Sequence, residues 1–178
     1  MKTDATKTLS ALLFWILTGA FVLNLAVLPL LPPLLSLRFN AEWADLFRGV
    51  FRLSFFPLHR GQWPEFFWRL MFYEVCGACS AVMLWQARAV LKNLAALRLF
   101  VPENARRVGT AARCSFVISA AALVRLCLEW SAYGLYQVLT AYNTLFVPVF
   151  LVAGLLCLVM ARLFEQAARL KEDNDLVI

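Results

Sequence analysis

The chain has 178 residues, 62% of them apolar and 16% charged, with a formal net charge of +6. A soluble domain carries roughly 45–50% apolar and about 25% charged residues, so this composition excludes one. No basic arm, acidic tail or low-complexity stretch is present, which also excludes disordered, collagen-like and coiled-coil chains. The length suits one domain, and that domain belongs in a membrane.

Crossing the hydrocarbon core takes roughly 20 helical residues, and four segments are long and apolar enough to do so. Period-two alternation is missing, and an open sheet cannot satisfy its backbone in lipid, so the segments are predicted helices. The first runs from Leu9 to Leu31 and meets Pro29, Pro32 and Pro33. It is longer than the apolar core of a signal peptide and lacks an Ala-x-Ala site, so it reads as a retained anchor. In the loop that follows, Asn40 is a candidate N-cap for a short amphipathic helix with an apolar stripe of Trp43, Leu46, Phe47, Val50 and Phe51. Such a helix lies along the membrane interface, either packed as a lid on the bundle mouth or serving as a gate or partner surface.

The second span covers Phe66 to Leu91, with Pro64 and Glu65 suited to its first turn. Pro102 suits a first helical position too, so the third helix is expected to start well before its span at 111–130 and to carry Arg106 and Arg107 at headgroup depth. Asn143 and Pro148 mark the start of the fourth helix, whose span is 145–163. The stripe Phe164, Ala167, Ala168 and Lys171 continues that helix beyond the span until the polar Lys171 to Asp175 stretch ends it. The expected fold is therefore an all-α, integral membrane four-helix bundle over residues 1–178, with a short interfacial helix in the first outer loop.

Eleven of the 17 Lys and Arg residues lie on one side: Lys2, Lys7, Arg88, Lys92, Arg98, Arg106, Arg107, Arg113, Arg162, Arg169 and Lys171. Six lie on the other: Arg38, Arg48, Arg52, Arg60, Arg69 and Arg125. The positive-inside bias puts both termini and the middle loop in the cytoplasm. Anionic inner-leaflet lipids attract such residues, and no recognition-helix or zinc-finger pattern accompanies them, so the expected partner of the basic side is a lipid headgroup and not nucleic acid.

Ionisable residues inside a span are costly and face a partner or the bundle interior. Glu74 and Arg125 fall at matching depths on the antiparallel second and third helices, as do Arg69 and Glu129 nearer the surface. Two cross-helix ion pairs are expected, Glu74 with Arg125 and Arg69 with Glu129, which fix the register of these helices. A proton or ion relay, and hence a transporter or channel subunit, is the alternative use of Glu74 and Arg125. Cys76 and Cys79 form a C-x-x-C, as in membrane thiol oxidoreductases, but they lie deep in the second span, where a thiolate is disfavoured and access is poor. Packing beside Gly77, Ala78 and Ser80 is the preferred reading. His59 is the sole histidine, and phosphate-loop and dinucleotide signatures are absent, so no catalytic, metal or cofactor site is expected.

Two stretches, Arg98 to Phe116 (RLFVPENARRVGTAARCSF) and Leu163 to Ile178 (LFEQAARLKEDNDLVI), resemble the small bacterial membrane proteins of the domain-of-unknown-function family numbered twenty-nine seventy-five. That family has a Phe-x-x-Glu-Asn stretch entering its third helix, matched by Phe100, Glu103 and Asn104, and a Glu-Asn-Asp-Leu-Thr-Ile-like tail. Here the tail has Asp173 for Glu and Val177 for Thr around Asn174, Asp175, Leu176 and Ile178. The resemblance implies a four-helix protein of the bacterial inner membrane with no known enzyme activity, often encoded beside a small helix-turn-helix regulator. It points to Glu103, Asn104, Arg106, Arg107, Asp173, Asn174 and Asp175 as a cytoplasmic docking surface for such a regulator. Packing of the Asp173 to Asp175 acids on Arg106 and Arg107 is the competing use of the same residues.

Overall fold

The computed structural model describes residues 2–37, 63–96, 101–133 and 142–175, and every described element is helical. Helix α1 spans Lys2–Val27, a 3-10 turn covers Leu28–Leu30, and α2 spans Leu31–Leu37. Helix α3 spans Trp63–Ala95 and α4 Pro102–Tyr133; a 3-10 turn at Tyr142–Leu145 leads into α5, Phe146–Asp175. The interfacial helix expected after Asn40 lies outside the described residues.

Proline places the breaks. Pro29 lacks the N–H that would continue α1, and the chain tightens into the 3-10 turn there. Pro64, Pro102 and Pro148 all stand in first turns, where the missing donor costs no helical bond. Ahead of α4, the Asn104 N–H donates to the Val101 carbonyl at 2.9 Å and closes its first turn.

Four helices are long and apolar enough to cross a membrane: Ser10–Leu30, Pro64–Ala95, Pro102–Ser131 and Phe146–Asp173. Successive contacts run in opposite directions. Phe21 meets Trp85 while Leu28 meets Gly77, so α1 and α3 are antiparallel. Asn93 meets Asn104 and Phe72 meets Arg125, so α3 and α4 are too. Gly109 meets Ala161 and Ser119 meets Val147, which makes α4 and α5 antiparallel as well. The result is an up-down-up-down bundle. One end, here the terminal end, gathers the start of α1, the end of α3, the start of α4 and the end of α5; the opposite end is the distal end.

Helix α4 is the core. A third of its apolar window, 33%, is buried, against none of that of α1. Its buried stripe reads Ala105, Ala112, Ser115, Ile118, Ser119, Ala122 and Arg125 at helical spacing, and the alanines and serines among them let α3 and α5 approach. Large apolar side chains point the other way: Trp15, Leu23, Val124, Leu156 and Val159 are all exposed. Lipid tails are as apolar as these side chains, so close packing and hydrogen bonds hold the helices together where apolar burial cannot. At Gly154 the ring of Phe116 lies so near that an added Cβ would stand 2.9 Å from Cε1.

Candidate functional site

Two regions bring polar side chains together. At the distal end, a cleft of about 400 Å³ opens between α3 and α4. Trp68, Met71, Phe72, Val124 and Leu128 give it apolar walls, and Glu65, Arg69, Arg125 and Glu129 supply the charges. Arg125 is 9% exposed and lies over two rings of α3, 4.6 Å from the centroid of Phe72 and 5.4 Å from that of Tyr73. Its Nε and Nη2 both reach Glu129 Oε1 at 2.9 Å, while Nη1 is buried without a hydrogen-bond acceptor among the described residues.

The expected cross-helix ion pairs are corrected here. Arg125 pairs with Glu129 and not with Glu74; Arg69 pairs with Glu65 at 2.6 Å and not with Glu129. Both observed pairs lie within one helix at i,i+4, a spacing that puts the partners in reach whatever the neighbouring helix does. Rotation supplies the rest of the reason. Phe72 and Tyr73 fill the position opposite Arg125, and Glu74, half-buried one residue further round α3, is not among the residues lining the cleft. What crosses between α3 and α4 at this level is a cation–π contact.

The terminal end is built by hydrogen bonds. Asn93 Nδ2, near the end of α3, donates to Asn104 Oδ1 at 2.7 Å, at the start of α4. Asn104 is 2% exposed, so this residue is withdrawn from the docking surface expected of it: its amide clamps two helices. Glu103 and Arg106 are exposed. Arg107 gives Nη2 to Glu103 Oε1 at 2.6 Å, an i,i+4 pair, and among the described residues no ion pair joins Asp173 to Arg106 or Arg107. Asp173 is exposed at the end of α5; Asn174 and Asp175 belong to the last turn of that helix, and their side chains lie outside the described residues. Arg169 and Arg162 pair with Glu165, at 2.9 and 3.4 Å, on the outer face of α5.

Along α4, Ser115 Oγ donates to Met83 Sδ of α3 at 3.7 Å and Ser119 Oγ to the Val147 carbonyl of α5 at 3.0 Å. Cys76 and Cys79 are free and half-buried. The described residues contain no group of three or more His, Cys, Asp or Glu side chains able to hold a metal ion.

Several of these residues escape a linear reading. Asn93, Ser115 and Ser119 carry no motif, although two amides flanking one short connection are a usable signal for a clamp. Arg88 counts in the sequence only as a topological charge, yet Phe14 and Phe21, seven residues apart on α1, both stand beside its guanidinium.

No curated protein and no solved structure matches the chain. A family model does, the one described as "Protein of unknown function (DUF2975)", and it takes in α3, α4 and α5 with both polar regions. Because that match runs over residues 60–178, two thirds of the sequence, the chain belongs to the DUF2975 family.

Proposed function

We propose that this membrane protein is a non-enzymatic anchor of the bacterial inner membrane, whose cytoplasmic face docks or sequesters a partner such as a small helix-turn-helix regulator. The observation that carries this reading is the length of α4 and α5. They have 32 and 30 residues, about 45–48 Å at 1.5 Å per residue, against a hydrocarbon core of about 30 Å. The two helices pack on each other from Gly109 against Ala161 to Ser119 against Val147, and their excess length supports a helical stub beyond the lipid at the terminal end. At the terminal end its surface is charged and exposed: Glu103, Arg106 and Arg113 on α4, and Arg162, Arg169, Lys171, Glu172 and Asp173 on α5. Mixed charges on these helix ends give a partner both signs to read, and electrostatic complementarity of this kind sets specificity and association rate. The charge bias along the chain supports a cytoplasmic position for this end.

Site-specific photocrosslinking in cells tests the reading. A benzophenone side chain placed at Arg106, Arg169 or Asp173 is expected to capture a small soluble DNA-binding protein, and one placed at Trp130, at the distal end, is not. Capture of lipid alone at all three terminal positions, or the same proteins at Trp130, sinks it.

A further inference from the structure

Between α1 and α3, at the terminal end, lies a groove of about 600 Å³ that the docking reading does not use. Its walls combine Phe14, Trp15 and Trp85 with Arg88, Lys92 and Arg107, and among the described residues no carboxylate lines it. Arg88 is fixed by rings: its guanidinium carbon stands 5.1 Å from the Phe14 centroid, 5.4 Å from that of Trp85 and 5.7 Å from that of Phe21. Ring faces stabilise the charge but accept no strong hydrogen bond, and Arg88 Nε is buried with no acceptor among the described residues. Arg107 shows the same deficit. One terminal nitrogen is satisfied by Glu103, while its Nε is also buried without a partner among the described residues. Neither Arg88 nor the exposed Lys92 has an acidic partner among the described residues.

Two arginines with buried unmet donors and an exposed lysine in one groove call for an oxyanion, and the surroundings select which one. Trp15 and Trp85 are 72% and 53% exposed on the lipid side, so the groove continues from the cations onto apolar surface. Lys92 lies within a turn of the end of α3 at Ala95, the depth at which headgroup phosphates sit. Free phosphate shares the charge and the hydrogen-bonding oxygens but has nothing to place on the indoles. We propose that this groove binds an anionic phospholipid, its phosphate held by Arg88, Lys92 and Arg107 and an acyl chain laid along Trp15 and Trp85.

Native mass spectrometry of the full chain released from detergent tests this, with phosphatidylglycerol, phosphatidylcholine and inorganic phosphate as separate probes. Phosphatidylglycerol is expected to be retained over phosphatidylcholine, and millimolar inorganic phosphate to leave it in place. The R88Q/K92Q variant is expected to lower phosphatidylglycerol affinity by about tenfold or more, and R106Q/R113Q, which removes equal charge from exposed positions off the groove, by less than about twofold. Equal losses in the two variants would mean diffuse attraction to a basic surface and overturn the proposal. Equal retention of the two lipids also overturns it, as does displacement by inorganic phosphate, which identifies a free-oxyanion site. If R88Q/K92Q loses its helical circular dichroism, K92Q alone decides: Lys92 is exposed, and a folded K92Q protein with unchanged affinity ends the idea.

Discussion

Helix α1 and the α3–α4–α5 unit meet the same solvent with different devices. Around α4 the contacts include small side chains and hydrogen bonds, Asn93 to Asn104, Ser115 to Met83, Ser119 to Val147 and Gly154 under the Phe116 ring, beside the Arg125 contact with Phe72 and Tyr73. α1 instead meets α3 through large groups, with Phe14 and Phe21 around Arg88, Phe21 against Trp85 and Leu28 at Gly77. None of the apolar window of α1 is buried. Where apolar burial carries no net gain, small residues and hydrogen bonds make the firm interface, and the α1–α3 contact rests on rings and a guanidinium instead. The family match begins at residue 60 and takes in the firm unit, leaving α1 outside it.

Substitutions can break or sharpen this contrast, read as loss of helical circular dichroism on titration of micelles with a denaturing detergent. The largest effect belongs to Arg125→Met, which strands Glu129, whose side chain is 21% exposed, beside the cleft. A loss on the order of 3 kcal/mol is expected, with most of it recovered in the Arg125→Met/Glu129→Gln double variant. Full loss in the double variant would mean that the rings of Phe72 and Tyr73, rather than the carboxylate, require the arginine. Gly154→Val comes next, at about 1–3 kcal/mol, because the new side chain must displace the Phe116 ring. The contrasting position is Gly19 on α1, where nothing lies within 4 Å; Gly19→Val is expected to change stability by less than about 0.5 kcal/mol. Similar costs at the two glycines would erase the distinction between the interfaces.

Asn104→Leu leaves the Asn93 amide without its acceptor and is expected to cost about 1 kcal/mol, partly restored by adding Asn93→Leu. No interaction between the two substitutions in a double-mutant cycle would show that the clamp holds nothing. The smallest effect is expected for Leu23→Ala on the lipid face of α1, 65% exposed, within about 0.5 kcal/mol of the wild-type chain.

Much of the architecture is legible residue by residue. The apolar runs mark the four helices, Pro102 and Pro148 stand where first helical turns begin, and the Phe100, Glu103 and Asn104 pattern with the Asp173 to Ile178 tail points to the family. The candidate sites are less legible. Depth along a helix follows from counting residues, so Arg69, Arg125 and Glu129 do meet at one cleft. Azimuth does not follow. A single residue turns a side chain by about 100°, which is enough to put Phe72 and Tyr73 against Arg125 and leave Glu74 outside the cleft. The same rotation takes Asn104 into the interior while its neighbour Glu103 stays exposed.

The sequence by itself determined that this protein lives in a membrane, where its helices begin and break, and which family it joins, because hydropathy and proline chemistry act locally and sum along the chain. Only the tertiary structure decided which charges pair, which amide is buried and which arginines keep unmet donors beside an open groove. Those outcomes depend on how each helix is rotated against its neighbours, and in lipid that rotation is set by the fit of small surfaces and single hydrogen bonds, not by the apolar pattern.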